Sequence, residues 1–148
     1  MHTARTWIEQ LELAPHPEGG WFRETHRSPV MLAQAALPEG YPGDRCAVTS
    51  ILFLLEQGQA SANHTVRGEE IWLHQGGDDL ELTLGSPDGV QTRTLRLGHA
   101  PGARLQVVVP AGWWQTARPL AGAHGYGLVG CIVAPGFDFA DFTLEPDA

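Results

Sequence analysis

The sequence contains no lysine, and its nine cations are all arginine against 17 carboxylates, which gives a formal net charge of -8. Charged residues make up only 18% of the chain and hydrophobic residues 43%, the balance of a folded globular protein. An acidic chain without lysine lacks the basic patch that nucleic acids and anionic membranes require. We therefore expect neither a nucleic-acid partner nor a membrane partner.

No apolar run approaches the roughly 18 residues of a membrane span. The amphipathic, acid-containing N-terminus is unlike a signal or transit peptide. Cys46 and Cys131 belong to no CxxC pair, so we expect buried thiols in a reducing compartment and a cytoplasmic location. A glycine-rich phosphate loop followed by lysine, a GxSxG elbow and an HExxH helix are also missing, which excludes the commonest nucleotide and serine hydrolases.

The 148-residue length fits a single domain, residues 1–148, whose core needs neither a disulfide nor a metal. Only the beginning of the chain predicts a helix. Thr3 is a candidate N-cap, and Trp7, Ile8 and Leu11 then recur at helical spacing before two prolines end the pattern.

The rest of the chain has the pattern of a β protein. Most of the sequence's 18 glycines and 11 prolines lie there and divide it into short apolar or alternating segments. Asp88-Gly89 is the strongest hairpin signal. Pro29–Asp44 is predicted to be a loop, and we expect it to influence the size of any pocket. Many short strands favour a sandwich or small barrel. The predicted strands are Gly20–His26, Ala47–Glu56, Ala60–Val66, Glu70–Gln75, Leu80–Leu84, Gln91–Leu97, Leu105–Val109, Trp113–Ala117 and Tyr126–Val133.

The segment with the most candidate catalytic and metal-binding side chains follows Gly58. Side chains alternate between the faces of a strand, so His64 shares a face with Val66, and Glu70 shares a face with Trp72 and His74 on the next strand. If both faces point inward, one cavity receives His64, Glu70 and His74. An imidazole beside a carboxylate can bind a divalent metal or transfer a proton.

The spacing from Gly58 through His64, Val66 and Glu70 to Gly77 resembles the first motif of the cupin superfamily, with valine in place of its second histidine. The segment 110–115, PAGWWQ, resembles the core of the second cupin motif, where a glutamine replaces the usual histidine.

The chain is most similar to one bacterial cupin branch of uncharacterised proteins, cupin subfamily five, related to RmlC-like jelly rolls. It shares the opening 16–24 (HPEGGWFRE), the segment 70–72 (EIW) and the ending 133–139 (VAPGFDF). The resemblance implies an all-β fold, a double-stranded β-helix or jelly-roll barrel after a short N-terminal helix. It also implies a small molecule in the barrel mouth, but no particular reaction.

Metal-binding members of the superfamily usually supply three histidines and a glutamate from these positions. Here the candidate metal ligands are His64, Glu70 and Gln115, with His74 as a further imidazole if it reaches inward. A site of this kind would hold iron, nickel, zinc or manganese in an oxygenase or lyase.

The preferred interpretation needs no metal. His64 acts as general acid or base with Glu70 as its charge partner, in an isomerase or epimerase similar at superfamily level to the sugar-nucleotide 3,5-epimerases. The ligand would be a small polar metabolite, sugar-like or nucleobase-like. A non-catalytic small-molecule-binding module is the third hypothesis.

Other candidate ligand-binding residues each have a structural alternative. Trp72 and Trp114 offer flat apolar walls, or simply fill the core. Arg23 is a candidate anion anchor or part of a structural ion pair; adjacent Glu24 faces the opposite way, so at most one of the two enters a given cavity. Gln115 and His74 complete the set of candidate ligand contacts.

Cupin barrels commonly pair their edge strands, and an open jelly roll must protect its edges. We therefore expect a homodimer, with Gly20–His26 as the candidate exchanged or edge-pairing strand.

Overall fold

The computed structural model describes residues 1–146 and consists mostly of short strands. One α-helix, α1, covers Ala4–Gln10, and two 3₁₀ turns cover Gln34–Ala36 and Phe139–Asp141. Strands β1 to β13 cover, in order, Ala14–Pro15, Trp21–Arg27, Met31–Leu32, Arg45–Cys46, Thr49–Glu56, His64–Val66, Glu69–Gly77, Leu80–Gly85, Thr92–Leu97, Gln106–Val109, Trp114–Pro119, Tyr126–Ala134 and Phe142–Leu144.

The strands form two large antiparallel sheets. One sheet has the order β1-β2-β5-β12-β7-β10, and the other has the order β13-β6-β11-β8-β9. Strands β3 and β4 pair separately as a small ribbon. This arrangement is the predicted jelly roll; the two large sheets face each other without sharing a strand, so the wall is not closed by a continuous ring of backbone hydrogen bonds.

The core lies between the two large sheets. In β5, Phe53 and Leu55 point into this core, whereas Leu54 points to the outer face of its sheet. Helix α1 covers that outer face, and its Trp7 donates a hydrogen bond from Nε1 to Tyr126 Oη over 2.9 Å. Thr3 caps the helix as predicted, because its side chain accepts the amide of Thr6.

Each of the nine predicted strands is present, with shifted ends. The largest shift is at β6, which begins at His64 and not at Ala60. The amides of Ser61 and Ala62 donate to the carbonyls of Ala117 and Glu18, so they are not available to a regular ladder. The Asp88-Gly89 hairpin between β8 and β9 is confirmed.

Four short strands were not predicted, β1, β3, β4 and β13, because segments of two or three residues carry no measurable alternation. The loop 29–44 contains β3 and one 3₁₀ turn. Cys46 and Cys131 are buried free thiols, as predicted. The helices within residues 1–146 lack the length and apolar character of a membrane span.

Candidate functional site

A cavity of about 280 Å³ opens at one end of the space between the sheets. Its apolar walls come from both sheets and from residues 137–142, which follow β12. None of residues 29–44 lines it, so the predicted influence of that loop on the pocket is not seen in the described part of the chain. The polar side chains that line it are His16, Glu18, Glu24, Arg27, Thr49, His64, Glu70 and Asp138.

The turn 16–20 brings two of these groups to the cavity. Gly19 and Gly20 have φ values of 100° and 75°, a region that favours glycine. A β-carbon on Gly20 would lie 2.7 Å from the Leu54 carbonyl oxygen, so the chain passes too close to β5 for any other residue. The amide of Gly19 donates to the His16 carbonyl, and this tight turn directs Glu18 inward.

Glu18 and His64 form a buried pair. Glu18 Oε2 lies 3.0 Å from His64 Nε2, and both side chains are almost inaccessible to solvent. His64 Nδ1 lies 2.7 Å from the carbonyl oxygen of Ala62. Because a carbonyl oxygen only accepts, Nδ1 carries a hydrogen, and a proton between Nε2 and Oε2 is shared by imidazole and carboxylate. We call this pair the Glu18–His64 dyad.

The surroundings of His64 favour its charged form. Burial is the largest single influence and opposes protonation. It is outweighed by the hydrogen bond to Glu18, the negative charges of Glu18 and Glu70, and the Ala62 carbonyl, which together raise the pKa of His64 above 6.5. The backbone supports the pair, since the Ala62 amide donates to the Glu18 carbonyl over 2.6 Å. The dyad therefore keeps its proton to a higher pH than an isolated imidazole does.

Glu70 forms the floor of the cavity with Gln115 and Trp72 behind it. Trp72 Nε1 donates to Gln115 Oε1 over 2.8 Å, and Gln115 Nε2 donates to Glu70 Oε1 over 2.8 Å. Since the indole only donates, this chain of bonds fixes the orientation of the amide. Burial raises the pKa of Glu70 to about 7, although His64 and the Gln115 amide act in the opposite direction.

Three phenylalanines after β12 form an aromatic wall: Phe137, Phe139 and Phe142. The rings of Phe137 and Phe139 meet edge to face with centroids 4.9 Å apart. Asp141, within this segment, accepts two hydrogen bonds from Arg45, of 2.8 and 2.9 Å, and one from Arg67. The buried Arg45–Asp141 ion pair thus fixes the aromatic wall over the cavity.

His16 also lines the cavity, and its Nδ1 accepts the amide of Glu18, a local bond within its turn. Burial is the main cause that lowers its pKa below 6.5, and the neighbouring His64 acts in the same direction. His16 is therefore a neutral ring, and it packs edge to face on Phe22 with centroids 4.4 Å apart.

Several of the predicted site residues lie outside this cavity. Arg23 is on the opposite face of β2 and pairs with Glu12 over 3.2 Å, while Glu24 is the member of the pair that lines the cavity. Trp72 is buried in the core behind Glu70. Trp114 is half-buried and neighbours the inward-facing Gln115 in β11, so alternation turns it away.

His74 shares the face of Glu70 on β7, as alternation predicts, and that face points inward, but His74 follows Glu70 by four residues. Four residues of strand separate their α-carbons by about 13 Å. His74 Nε2 lies 2.9 Å from the Asp78 carbonyl oxygen, and Nδ1 is buried without a partner in the described chain. It cannot complete a ligand set with His64 and Glu70.

The predicted metal ligands His64, Glu70 and Gln115 do not fit a metal ion in this arrangement. Both ring nitrogens of His64 are engaged, and the Gln115 oxygen accepts from Trp72 while its amide nitrogen faces Glu70. The apolar Val66 stands where a second histidine would be needed. No group of three or more His, Cys, Asp or Glu side chains within residues 1–146 is arranged to hold a metal ion.

Sequence reasoning missed Glu18 and the aromatic wall, and it also did not assign His16, Arg27, Thr49 or Asp138 to the site. The signal for Glu18 was its place before two consecutive glycines in 16–20, which indicates a constrained turn. Its contact with His64 joins a loop to a distant strand, and no local periodicity reveals such a contact.

Comparison with known proteins finds relatives that align with almost the whole chain. "Uncharacterized protein YML079W" of Saccharomyces cerevisiae is 31% identical over 148 aligned residues, covering 93% of this chain and 72% of the yeast protein. A hypothetical protein from Leishmania major has a solved structure with TM-score 0.86 and 33% identity, over 97% of this chain and 88% of that one. The structure of SO0799 from Shewanella oneidensis gives TM-score 0.82 and 35% identity, over 98% and 85%.

More distant structures share the fold alone. A single-residue variant of oxalate decarboxylase from Bacillus subtilis matches 88% of this chain and 29% of its own, with TM-score 0.60 and 14% identity. The family model described as "Cupin superfamily (DUF985)" matches residues 5–145. The chain therefore belongs to the cupin superfamily, in its DUF985 branch.

Proposed function

We propose that the cavity binds a small, ring-containing polar metabolite, sugar-like or nucleobase-like, and that the Glu18–His64 dyad transfers a proton in an isomerase- or epimerase-type reaction. The observation that supports this proposal is the 3.0 Å contact between His64 Nε2 and Glu18 Oε2 in the wall of the cavity. A buried imidazole oriented by a carbonyl and charged by a carboxylate is the arrangement that general acid–base catalysis uses.

The chemistry follows from the proton positions. When the dyad is deprotonated, the Nε2 lone pair of His64 faces the ionised Glu18 carboxylate, and this repulsion increases the basicity of the ring. A C–H bond beside a ligand carbonyl loses its proton to the dyad at the Glu18 carboxylate, since both ring nitrogens of His64 already have partners, and the transferred proton is then shared with His64 Nε2. Glu70, with a pKa of about 7, is a second group on the same cavity that exchanges protons near neutrality.

Deuterium incorporation tests this proposal before the natural reaction is identified. A panel of monosaccharides, sugar derivatives and nucleobases is first screened for thermal stabilisation of the protein, and the stabilising compounds are then incubated with it in D₂O. We expect one or more of them to gain deuterium at carbon, measured by proton NMR and mass spectrometry. Deuterium at carbon shows that a proton was transferred even where the compound leaves the site otherwise unchanged.

The variant His64→Asn should fold and lose about 10²- to 10⁴-fold of the exchange rate, the usual contribution of a general base. His74→Asn is the matched control, because it removes a buried inward-facing imidazole outside the cavity, and it should retain the rate. Full exchange in His64→Asn would contradict the proposal. Stabilisation without exchange in any compound would favour a non-catalytic binding module.

We further propose a homodimer that uses the edge of β2. Strand β5 pairs with β2 along its length, whereas β1 reaches only Trp21 and Phe22. Among the described residues, the outer edge of 23–27 has no second strand against it, and an open edge favours pairing with another copy. Light scattering should give twice the chain mass at micromolar concentration; a monomer there would refute this proposal.

A further inference from the structure

The charges around the cavity restrict the class of ligand that it can accept. Among residues 1–146, carboxylates line it at four positions, Glu18, Glu24, Glu70 and Asp138, against a single arginine, Arg27. His16 is neutral, and the charge on His64 is matched by Glu18. The excess of negative charge in and around the site opposes an anionic ligand.

Arg27 is already occupied by partners from the protein itself. Its Nε lies 2.7 Å from Glu24 Oε1, and its Nη2 contacts Glu24 Oε2 at 3.4 Å and the Phe137 carbonyl oxygen at 3.1 Å. Its Nη1 lies 3.7 Å from the sulfur of Cys46. Each guanidinium nitrogen therefore has a partner, and binding of a phosphate or carboxylate would require Arg27 to give up Glu24.

Glu70 is a buried lining acid with a single hydrogen-bond partner among the described side chains. Its Oε1 accepts from Gln115, and its Oε2 accepts no hydrogen bond from residues 1–146. The side chain is buried yet lines the cavity. A buried carboxylate oxygen stabilises a ligand group that donates a hydrogen bond or carries positive charge.

The walls and the volume agree with a compact aromatic or cationic ligand. Phe137, Phe139 and Phe142 pack edge to face with one another, and the electron-rich faces of such rings attract cations. A volume of about 280 Å³ lies at the lower limit of pockets for drug-sized ligands. It suits a single ring, and a nucleotide-linked sugar would extend beyond it.

From these observations we infer that the cavity takes a ring-sized ligand that directs an amine- or amidine-type nitrogen donor toward Glu70 and carries no anionic substituent. This inference rests on the proposed function for the location of the site, and it narrows the sugar-like or nucleobase-like class to its aminated, uncharged or cationic members.

Three probes of nearly equal shape test the inference: benzamidine, benzamide and benzoate, with charges of about +1, 0 and −1 at neutral pH. Binding is measured at about pH 8, by calorimetry and by NMR shifts of cavity residues, with probe concentrations up to about 10 mM. We expect benzamidine to bind at least about tenfold more tightly than benzoate, with benzamide between them.

Two variants locate the source of this preference. Glu70→Gln should reduce the advantage of benzamidine over benzoate to less than about threefold, because the floor of the cavity becomes neutral. Glu24→Gln should strengthen benzoate binding severalfold, because it releases Arg27. Glu81→Gln is the control, since it removes one charge from the pair with Arg118 outside the cavity and should leave the order of the probes unchanged.

Benzoate binding as tightly as benzamidine would overturn the inference, as would an undiminished benzamidine preference in Glu70→Gln. Failure of all three probes to shift cavity residues would also overturn it. Because these probes undergo no proton transfer at carbon, the result is independent of the deuterium experiment. If deuterium exchange occurs but benzamidine is not preferred over benzoate, only this inference fails. If benzamidine is preferred but no compound exchanges deuterium, only the proposed reaction fails.

Discussion

Two buried histidines, His64 and His74, show what separates a candidate catalytic group from a structural one. Both face the interior of the jelly roll, and they are 2% and 8% exposed. His64 lies between a carbonyl and a carboxylate and lines the cavity. His74 contacts the Asp78 carbonyl, has an unpartnered Nδ1 in the described chain, and packs on the exposed ring of His99.

The difference shows that inward direction and burial are insufficient evidence for function. Proton transfer needs a charge partner and access to a ligand, and within this pair of histidines His64 has both. The contrast extends to the surroundings of each ring. In the cavity, the Glu18 and Glu70 carboxylates contact only side-chain donors among residues 1–146, whereas Asp78 and Asp79, at the His74 end, also accept hydrogen bonds from backbone amides.

The largest stability difference between the two ends should come from their ion pairs. Asp141→Asn breaks the buried pair with Arg45 and should cost about 3–5 kcal/mol of unfolding free energy, because Arg45 stays buried without its counter-charge. Asp79→Asn acts on a pair whose arginine is half exposed and should cost about 1 kcal/mol. Urea unfolding of both variants measures the difference. Equal costs would show that Asp141 does not anchor the aromatic wall.

The two ends should also respond to pH in opposite directions. Glu70 has a pKa of about 7 in the folded protein against 4.5 as its ordinary value, so the folded state holds a proton that the unfolded state releases between these pH values. Unfolding free energy should fall by about 3 kcal/mol as pH rises through this range. The raised pKa of His64 acts in the same direction, since its contribution is complete below pH 6.5 and disappears as pH rises through the folded pKa.

Asp78 behaves in the opposite way. Burial opposes ionisation, but hydrogen bonds from His124 and Gly125 lower its pKa below 3.8, so its contribution is present above that value and is lost toward acid. Glu70→Gln should therefore remove most of the decline between about pH 5 and pH 8, and Asp78→Asn should leave that decline intact. Urea midpoints across pH provide the measurement. Parallel curves for wild type and Glu70→Gln would contradict the assignment.

A smaller effect is expected at the hydrogen bonds behind the cavity floor. Trp72→Phe leaves Gln115 Oε1 buried without a donor, the condition that His74 Nδ1 already has, and should cost about 1–3 kcal/mol. It should also weaken benzamidine binding, since a freed Gln115 amide no longer holds Glu70 in place. Unchanged stability would mean that water or a rotated amide replaces the indole.

Alternation and turn chemistry were sufficient for most of the fold. They predicted helix α1, nine of the strands and which side chains share a face in β6 and β7, because these properties depend on neighbouring residues. Alternation also placed Arg23 and Glu24 on opposite faces of their strand, although it did not decide which of the two enters the cavity.

The candidate site was only partly accessible from the sequence. His64 and Glu70 were named through alternation and the cupin motif, whereas Glu18 depends on how a glycine turn packs against a strand 46 residues later. Phe139 and Phe142 lie in a 3₁₀ turn and a three-residue strand without periodicity. Contacts of this kind arise from tertiary packing and are invisible to local patterns.

The state of the His64 ring in solution is the most direct test of the dyad. Nitrogen-detected NMR of the imidazole across pH reports both its tautomer and its pKa. We predict a hydrogen on Nδ1 and a pKa above 6.5, falling in Glu18→Gln because the counter-charge is lost. A pKa below 6.5 that Glu18→Gln leaves unchanged would contradict the shared proton on which the proposed chemistry depends.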